Sequence, residues 1–203
     1  TMAYTTINKG SSYFNTITYT GTGSSNSLTG VGFKPDWVWI KSRNAAQTHG
    51  LFDSNRGVQK LLQSNSTAAE LTSSAYLTAF DSGGFSLGTT QFFNCSGDTF
   101  VGWQWKANGT GVTNTAGSIN STVSANTTAG FSVVTYTGNG TAGATVGHGL
   151  GIAPSMMIFK TRKDTGGWLV WHTGYNSNQA QMLLNSSDAI YNPGNGLYFN
   201  STY

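Results

Sequence analysis

Charge is scarce in this sequence. Lys, Arg, Asp and Glu make up 8% of its 203 residues, against about 25% in an ordinary soluble protein, so solubility rests on hydroxyl and amide side chains. The ten basic residues giving the net charge of +3 are scattered. With no Lys/Arg cluster to follow a phosphate backbone, nucleic acid is not expected as a partner. A single cysteine, Cys95, excludes an internal disulfide framework. Its neighbours (FFNCSG) bring neither a base nor a second thiol, so it reads as a small half-buried residue rather than a nucleophile. No apolar run approaches the roughly 18 residues that cross a bilayer, and no signal-like core stands at the start. A soluble chain with no membrane partner is expected.

Hydrophobic residues are plentiful, at 37% with 13% aromatic, which excludes disorder driven by polarity. They come in bursts of Val, Ile, Phe, Tyr, Trp and Thr separated by Gly, Asn, Asp and Ser. Branched and aromatic side chains suit a pleated, half-buried surface, and the small polar residues supply turns, so the bursts read as strands. Strands are expected near 13–20, 36–41, 49–53, 77–80, 85–87 and 100–106. In the last of these, Phe100, Gly102, Gln104 and Lys106 alternate with Val101, Trp103 and Trp105, so one face is core. The run WVWIK (37–41) does not alternate, as befits a strand covered on both sides. Helical spacing occurs only over 56–64, where Val58, Leu61 and Leu62 predict one or two turns.

The sequence also repeats itself. TITYTG (16–21) returns as VVTYTG (133–138), KPDWVWIKSR (34–43) as APSMMIFKTR (153–162), HGLFD (49–53) as WLVWH (168–172), and QKLLQSN (59–65) as QMLLNSS (181–187). Two of only three prolines, Pro35 and Pro154, mark the same place in the two copies. Such order and spacing indicate a tandem duplication of roughly 90 to 115 residues. The first copy continues through SAYLTAF, DSGGFSLG and DTFVGWQWKA, whereas the second has only NGLYFNSTY, so it is expected to lack its last two strands. The fold expected is all-β: two tandem antiparallel β-sandwich modules of jelly-roll type, the second incomplete. They would occupy 1–107 and 131–203. The segment 108–130 reads as a linker in which Val112, Ile119 and Val123 could add an edge strand.

The phrases MAYTTINKGSSYFNTITYTG, GVGFKPDWVWIKSRN, HGLFDSNRGVQKLLQSN, FDSGGFSLG and FVGWQWKANG, with AGFSVVTYTGNGTAGATVGHGLGIAPSMMIFKTR in the second copy, resemble a repeat of structural and tail-associated virion proteins of marine tailed bacteriophages. The resemblance covers most of the chain. It implies concanavalin-like, lectin-like sandwich modules at the surface of a virion. The partners implied are other virion proteins or further copies of the chain, with cell-surface glycans as a possible ligand.

Candidate sites are few. The acidic residues Asp36, Asp53, Glu70, Asp81, Asp98, Asp164 and Asp188 do not supply two carboxyls on one strand, the arrangement a sandwich-fold glycosidase needs. A non-enzymatic protein is therefore expected over a polysaccharide depolymerase. Asp81, Asp98 and Asp164 lie in turn-like strings and are expected to cap their own backbone. His49, His148 and His172 lack metal-ligand spacing, and single aspartates in separate loops do not make a calcium site, so no metal or cofactor is expected. In DSNRG, Asp53 and Arg56 are spaced to pair across a tight turn, with Arg56 alternatively a ligand contact. Sugars are bound by stacking on aromatic faces. Trp168, just after DTGG, is the tryptophan expected to reach the surface. The ligand-binding candidates are Trp168, His172, Arg56 and Asp53.

Overall fold

A computed structural model describes residues 7–175 and 180–192. The chain is all-β, with several antiparallel sheets and, among the described residues, one short α-helix and one 3-10 turn at Gly10–Ser12. The strands are β1 (Phe14–Thr20), β2 (Asn26–Leu28), β3 (Trp37–Ser42), β4 (Gly50–Asp53), β5 (Lys60–Leu61), β6 (Leu71–Thr72), β7 (Leu77–Asp81), β8 (Gly84–Leu87), β9 (Thr99–Trp105), β10 (Val112–Asn114), β11 (Ser121–Asn126), β12 (Phe131–Tyr136), β13 (Met156–Phe159), β14 (Leu169–His172) and β15 (Met182–Leu183). The helix, α1 (Gln91–Asn94), is started by Thr90, whose hydroxyl accepts the Phe92 N–H.

In the first copy a four-stranded sheet, β1-β9-β3-β4, lies over a three-stranded sheet, β2-β8-β7. Both contribute to one core: Val38, Ile40, Phe52 and Phe100 from the first, Leu77, Phe85 and Leu87 from the second, with Leu61 and Phe93. Period-2 alternation decides which residues enter it. In β9 the inward face is Phe100, Gly102 and Gln104, while Val101, Trp103 and Trp105 face outward and are half-buried. In β3, Val38 and Ile40 point into the same core, and Trp37 and Trp39 point out. The outward tryptophans are covered in turn: Trp37 and Trp39 pack on a second cluster of Leu51, Leu62 and Trp168. The strand is thus covered on both sides, as its unbroken apolar run implied.

The second copy repeats the β3–β4 ladder. Trp37 pairs with Asp53, Val38 with Phe52, Trp39 with Leu51 and Ile40 with Gly50. The counterparts Met156 and His172, Met157 and Trp171, Ile158 and Val170, and Phe159 and Leu169 pair in the same register. Even the flanking bond is kept, with Ser54 N–H donating to the Asp36 carbonyl and Thr173 N–H to that of Ser155, each at 2.9 Å. Copied sequence gives copied register because a one-residue slip would turn every apolar side chain to the wrong face.

One expectation is corrected. No helix forms over 56–64: Gln59 has φ 66, and the chain makes turns and then β5. Val58, Leu61 and Leu62 mimic a helical stripe, but Leu61 and Leu62 are buried in different clusters. Within 108–130, Val112 and Val123 lie opposite each other in β10 and β11, and Ile119 bridges Val146. The end of the second copy, GLYFNSTY (196–203), lies outside the described residues.

Candidate functional site

Four charged residues, Asp53, Arg56, Glu70 and Arg162, meet where the copies join. Asp53 closes β4, and its Oδ1 accepts the Arg56 N–H at 2.9 Å while Gly57, at φ 85, donates to the Asp53 carbonyl. The positive φ suits glycine, so the turn can fold the Arg56 guanidinium back under the strand. There Nε donates to Asp53 Oδ2, Nη2 to the Leu51 carbonyl at 3.0 Å, and Nη1 to the Lys60 carbonyl at 3.0 Å and to Glu70 Oε2 at 3.1 Å. The Arg56 side chain is only 3% exposed. Its fixed planar fork satisfies carboxylates and carbonyls together, a task a lysine could not copy.

Glu70 carries the network into the second copy. Arg162 donates to it through Nε at 2.9 Å and Nη2 at 3.0 Å, and the Glu70 N–H donates to the Arg162 carbonyl at 2.8 Å. Burial alone would raise the Glu70 carboxyl, but hydrogen bonds from Arg162 and Arg56, and their charges, outweigh it and hold the pKa below its ordinary value. The bond to Glu70 in turn raises Arg162, against a smaller opposing effect of burial.

Arg162 also lines a cleft of about 350 Å³. Thr113, Thr122 and Thr135, directly opposite one another across β10, β11 and β12, form its floor. Asn120, Ser121, Tyr136 and Thr137 complete the lining. Hydroxyls, one amide, one phenol and one guanidinium can exchange hydrogen bonds with a polyhydroxylated ligand. No carboxylate lines the cleft, so it offers no acid–base pair of the kind glycoside hydrolysis uses.

Trp168 is not at the surface. It is 2% exposed, its indole N–H donates to the Gln63 carbonyl at 2.8 Å, and its ring packs with Leu51 and Leu62. In the DTGG string before it Asp164 and Thr165 are exposed and Gly166 and Gly167 half-buried, but the tryptophan turns inward onto the first copy, so it presents no stacking face. His172 is exposed. Its Nδ1 accepts the Gly174 N–H at 2.9 Å and its ring lies 6.0 Å from Tyr175. It occupies the place of Asp53, and Tyr175 that of Arg56, so the second copy keeps the turn and drops the ion pair. The four candidates therefore do not form one site: Asp53 and Arg56 are consumed internally, Trp168 lies in the core, and His172 stands apart in an exposed turn.

Other single residues fill structural places. Asp81 Oδ2 accepts from Ser86 at 2.7 Å and Asp98 Oδ1 from Asn44 at 3.3 Å, side-chain partners in place of the backbone capping expected of both. His148 Nδ1 accepts the Leu150 N–H at 3.2 Å, an ordinary turn. Desolvation and the charge of Asp98 push the Cys95 thiol up, away from a reactive thiolate.

Sequence reasoning passed over Glu70, Arg162 and the threonine row. The available signals were that Glu70 is the only glutamate in the chain and that Arg162 ends the repeated basic motif. The threonine row exists only once β10, β11 and β12 pair.

Neither a curated protein nor a solved structure matches the chain. A family profile does, over residues 9–202, both copies and the segment between them included. The chain belongs to the domain family of unknown function DUF7483.

Proposed function

We propose that the protein is a non-enzymatic structural component of a bacteriophage virion surface, whose β-sandwich modules of jelly-roll, lectin-like type serve in assembly and in weak attachment to glycans. The observation that carries this reading is the junction cleft. Its lining is rich in hydroxyl groups, with one amide and one guanidinium, and includes no Asp or Glu, while the carboxylates of Asp53 and Glu70 are both held by the Arg56 guanidinium. Low charge and a hydroxyl-rich exterior suit a wet, weak binding surface that works by repetition in an assembly, where many weak contacts give avidity.

The test is incubation with host-surface polysaccharide, followed by retention on an immobilised glycan and by sizing of the polymer. Weak retention is expected, reduced by Tyr136→Ala and by Thr135→Val, with polymer length unchanged. Shortened oligosaccharides would overturn the non-enzymatic reading in favour of a depolymerase. Retention untouched by both substitutions would remove the cleft as the glycan site. Mass spectrometry of purified particles tests the virion assignment, which fails if the chain is absent from them.

A further inference from the structure

Among the described residues Arg162 is the one charged side chain lining the junction cleft, and its guanidinium is engaged along one edge only. Nε and Nη2 each donate to a Glu70 oxygen, whereas Nη1 donates to nothing among the described residues. Two bonds to one carboxylate fix a planar group in place, so the remaining N–H groups of Nη1 and Nη2 form a rigid fork. That fork is what Arg162 has left to offer a ligand.

Glu70 does not cancel the charge that solvent meets. Asp53, Arg56, Glu70 and Arg162 sum to zero, but they are unequally placed: the side chains of Asp53, Arg56 and Glu70 are 4, 3 and 11% exposed, and that of Arg162 is 45% exposed. Both carboxylates lie on the buried side of the network and the outer guanidinium is its open end. The surrounding string KTRKD (160–164) adds Lys160 and Lys163 against the single Asp164, so the local balance is positive.

Neutral and acidic sugars ask for different linings. A sugar hydroxyl both donates and accepts, so a site for it benefits from strong acceptors, carboxylates above all. The cleft lining includes no Asp or Glu. An ionised carboxylate or a sulfate only accepts, and the polar side chains here can all donate to it: the guanidinium of Arg162, the amide of Asn120, the hydroxyls of Thr113, Thr122 and Thr135, and the phenol of Tyr136. Burial raises the Tyr136 pKa, which keeps that phenol a donor. A guanidinium fork meeting two oxygens of one anionic group is also the strongest pairing this lining can make.

We infer that, with the cleft read as the glycan site, its ligand is an acidic polysaccharide, one whose sugars carry carboxylate or sulfate groups, with one such group seated on the free fork of Arg162 and its ring hydroxyls over the threonine row. Glu70 then acts as a positioning residue: it orients the fork and, by its negative charge, moderates the affinity.

The test measures binding of the whole chain to fluorescently labelled polygalacturonate and dextran sulfate, with carboxyl-reduced polygalacturonate and dextran as their neutral counterparts. At least one acidic polymer should bind about tenfold more tightly than its neutral counterpart, and Arg162→Gln should remove about that factor. Preference for polygalacturonate assigns a carboxylate, and preference for dextran sulfate a sulfate ester. Lys9→Gln removes the same unit of charge from an exposed residue outside the cleft and should leave binding unchanged. Glu70→Gln, which keeps an acceptor for Arg162 but removes the opposing charge, should tighten acidic binding, a change of sign that a merely structural role would not give. Equal losses for Lys9→Gln and Arg162→Gln would reduce the effect to net charge and overturn the inference. Neutral polymers bound as tightly as acidic ones, and weakened by Tyr136→Ala, would overturn the acidic class while keeping the cleft as a glycan site. Binding of no polymer, or binding indifferent to both Tyr136→Ala and Thr135→Val, would remove the cleft reading itself and the inference with it.

Discussion

Replacing Trp168 by alanine removes the largest side chain shared by the two copies. The indole is 2% exposed and its N–H is bonded to Gln63, from the first copy. A buried aromatic of this class covers about 150–250 Å², and at about 25 cal/mol per Å² its transfer contributes ~4–6 kcal/mol. Alanine keeps part of that, so large-to-small changes of this kind cost about 3–5 kcal/mol. The abandoned Gln63 carbonyl adds about 1 kcal/mol. Trp168→Ala should therefore destabilise by about 4–6 kcal/mol, and Trp168→Phe, which keeps a ring but loses the hydrogen bond, by about 1–2 kcal/mol. Urea unfolding followed by far-UV circular dichroism reads both without relying on tryptophan emission. A loss below about 1 kcal/mol for the alanine variant, the range of surface substitutions and small core changes, would refute the packing argument and return Trp168 to the surface.

Arg56→Ala should cost about 3–5 kcal/mol in urea unfolding, because it leaves buried Asp53 without its partner and frees the Leu51 and Lys60 carbonyls. Glu70 has a folded-state pKa below its ordinary 4.5. Its contribution is therefore fully present above about pH 4.5 and lost as pH falls through the lowered folded value. A stability-versus-pH series should show an acid-side slope that Glu70→Gln flattens, and an unchanged slope would count against the ion pairs. Gly21→Ala should destabilise by about 1–3 kcal/mol as its Cβ meets the Cys95 backbone, while Gly138→Ala, with open space around it, should stay within about 0.5 kcal/mol. Thermal melts of the two variants check the contrast.

Strand positions were legible because each burst of branched and aromatic residues is bounded by turn residues, and the boundaries near 13–20, 36–41 and 100–106 match β1, β3 and β9 within a residue or two. The Asp53–Arg56 corner was legible for a similar reason: its partners are three residues apart. What escaped was set by distant contacts. Trp168 is buried by Gln63, Leu51 and Leu62, more than a hundred residues away, and its exposed local neighbours point to the opposite conclusion. Glu70 and Arg162 meet across a comparable separation. Over 56–64 the local spacing misled, because the Asp53 turn and the positive φ of Gln59 impose a path that periodicity does not encode.

The two copies are not equal partners, and the asymmetry predicts how the chain opens. The first copy encloses its own core, nine buried residues from β3, β4, β5, β7, β8, β9 and α1. The second borrows. Trp168 is buried against Leu51 and Leu62, Phe131 rests on Trp37 and Trp105 with centroids 6.3 and 6.2 Å away, and Arg162 holds Glu70. The first copy therefore keeps most of its apolar burial if the second opens, whereas the second loses its main contacts if the first opens. Local opening free energies follow buried contacts and paired backbone. Native-state hydrogen exchange should accordingly show faster exchange in β13 and β14 than in β3 and β9, and a denaturant series should find the second copy opening at lower concentration. Equal protection of both copies across that series would show that the junction, not the core of the first copy, sets the stability of the whole, and the borrowed-core argument would fall.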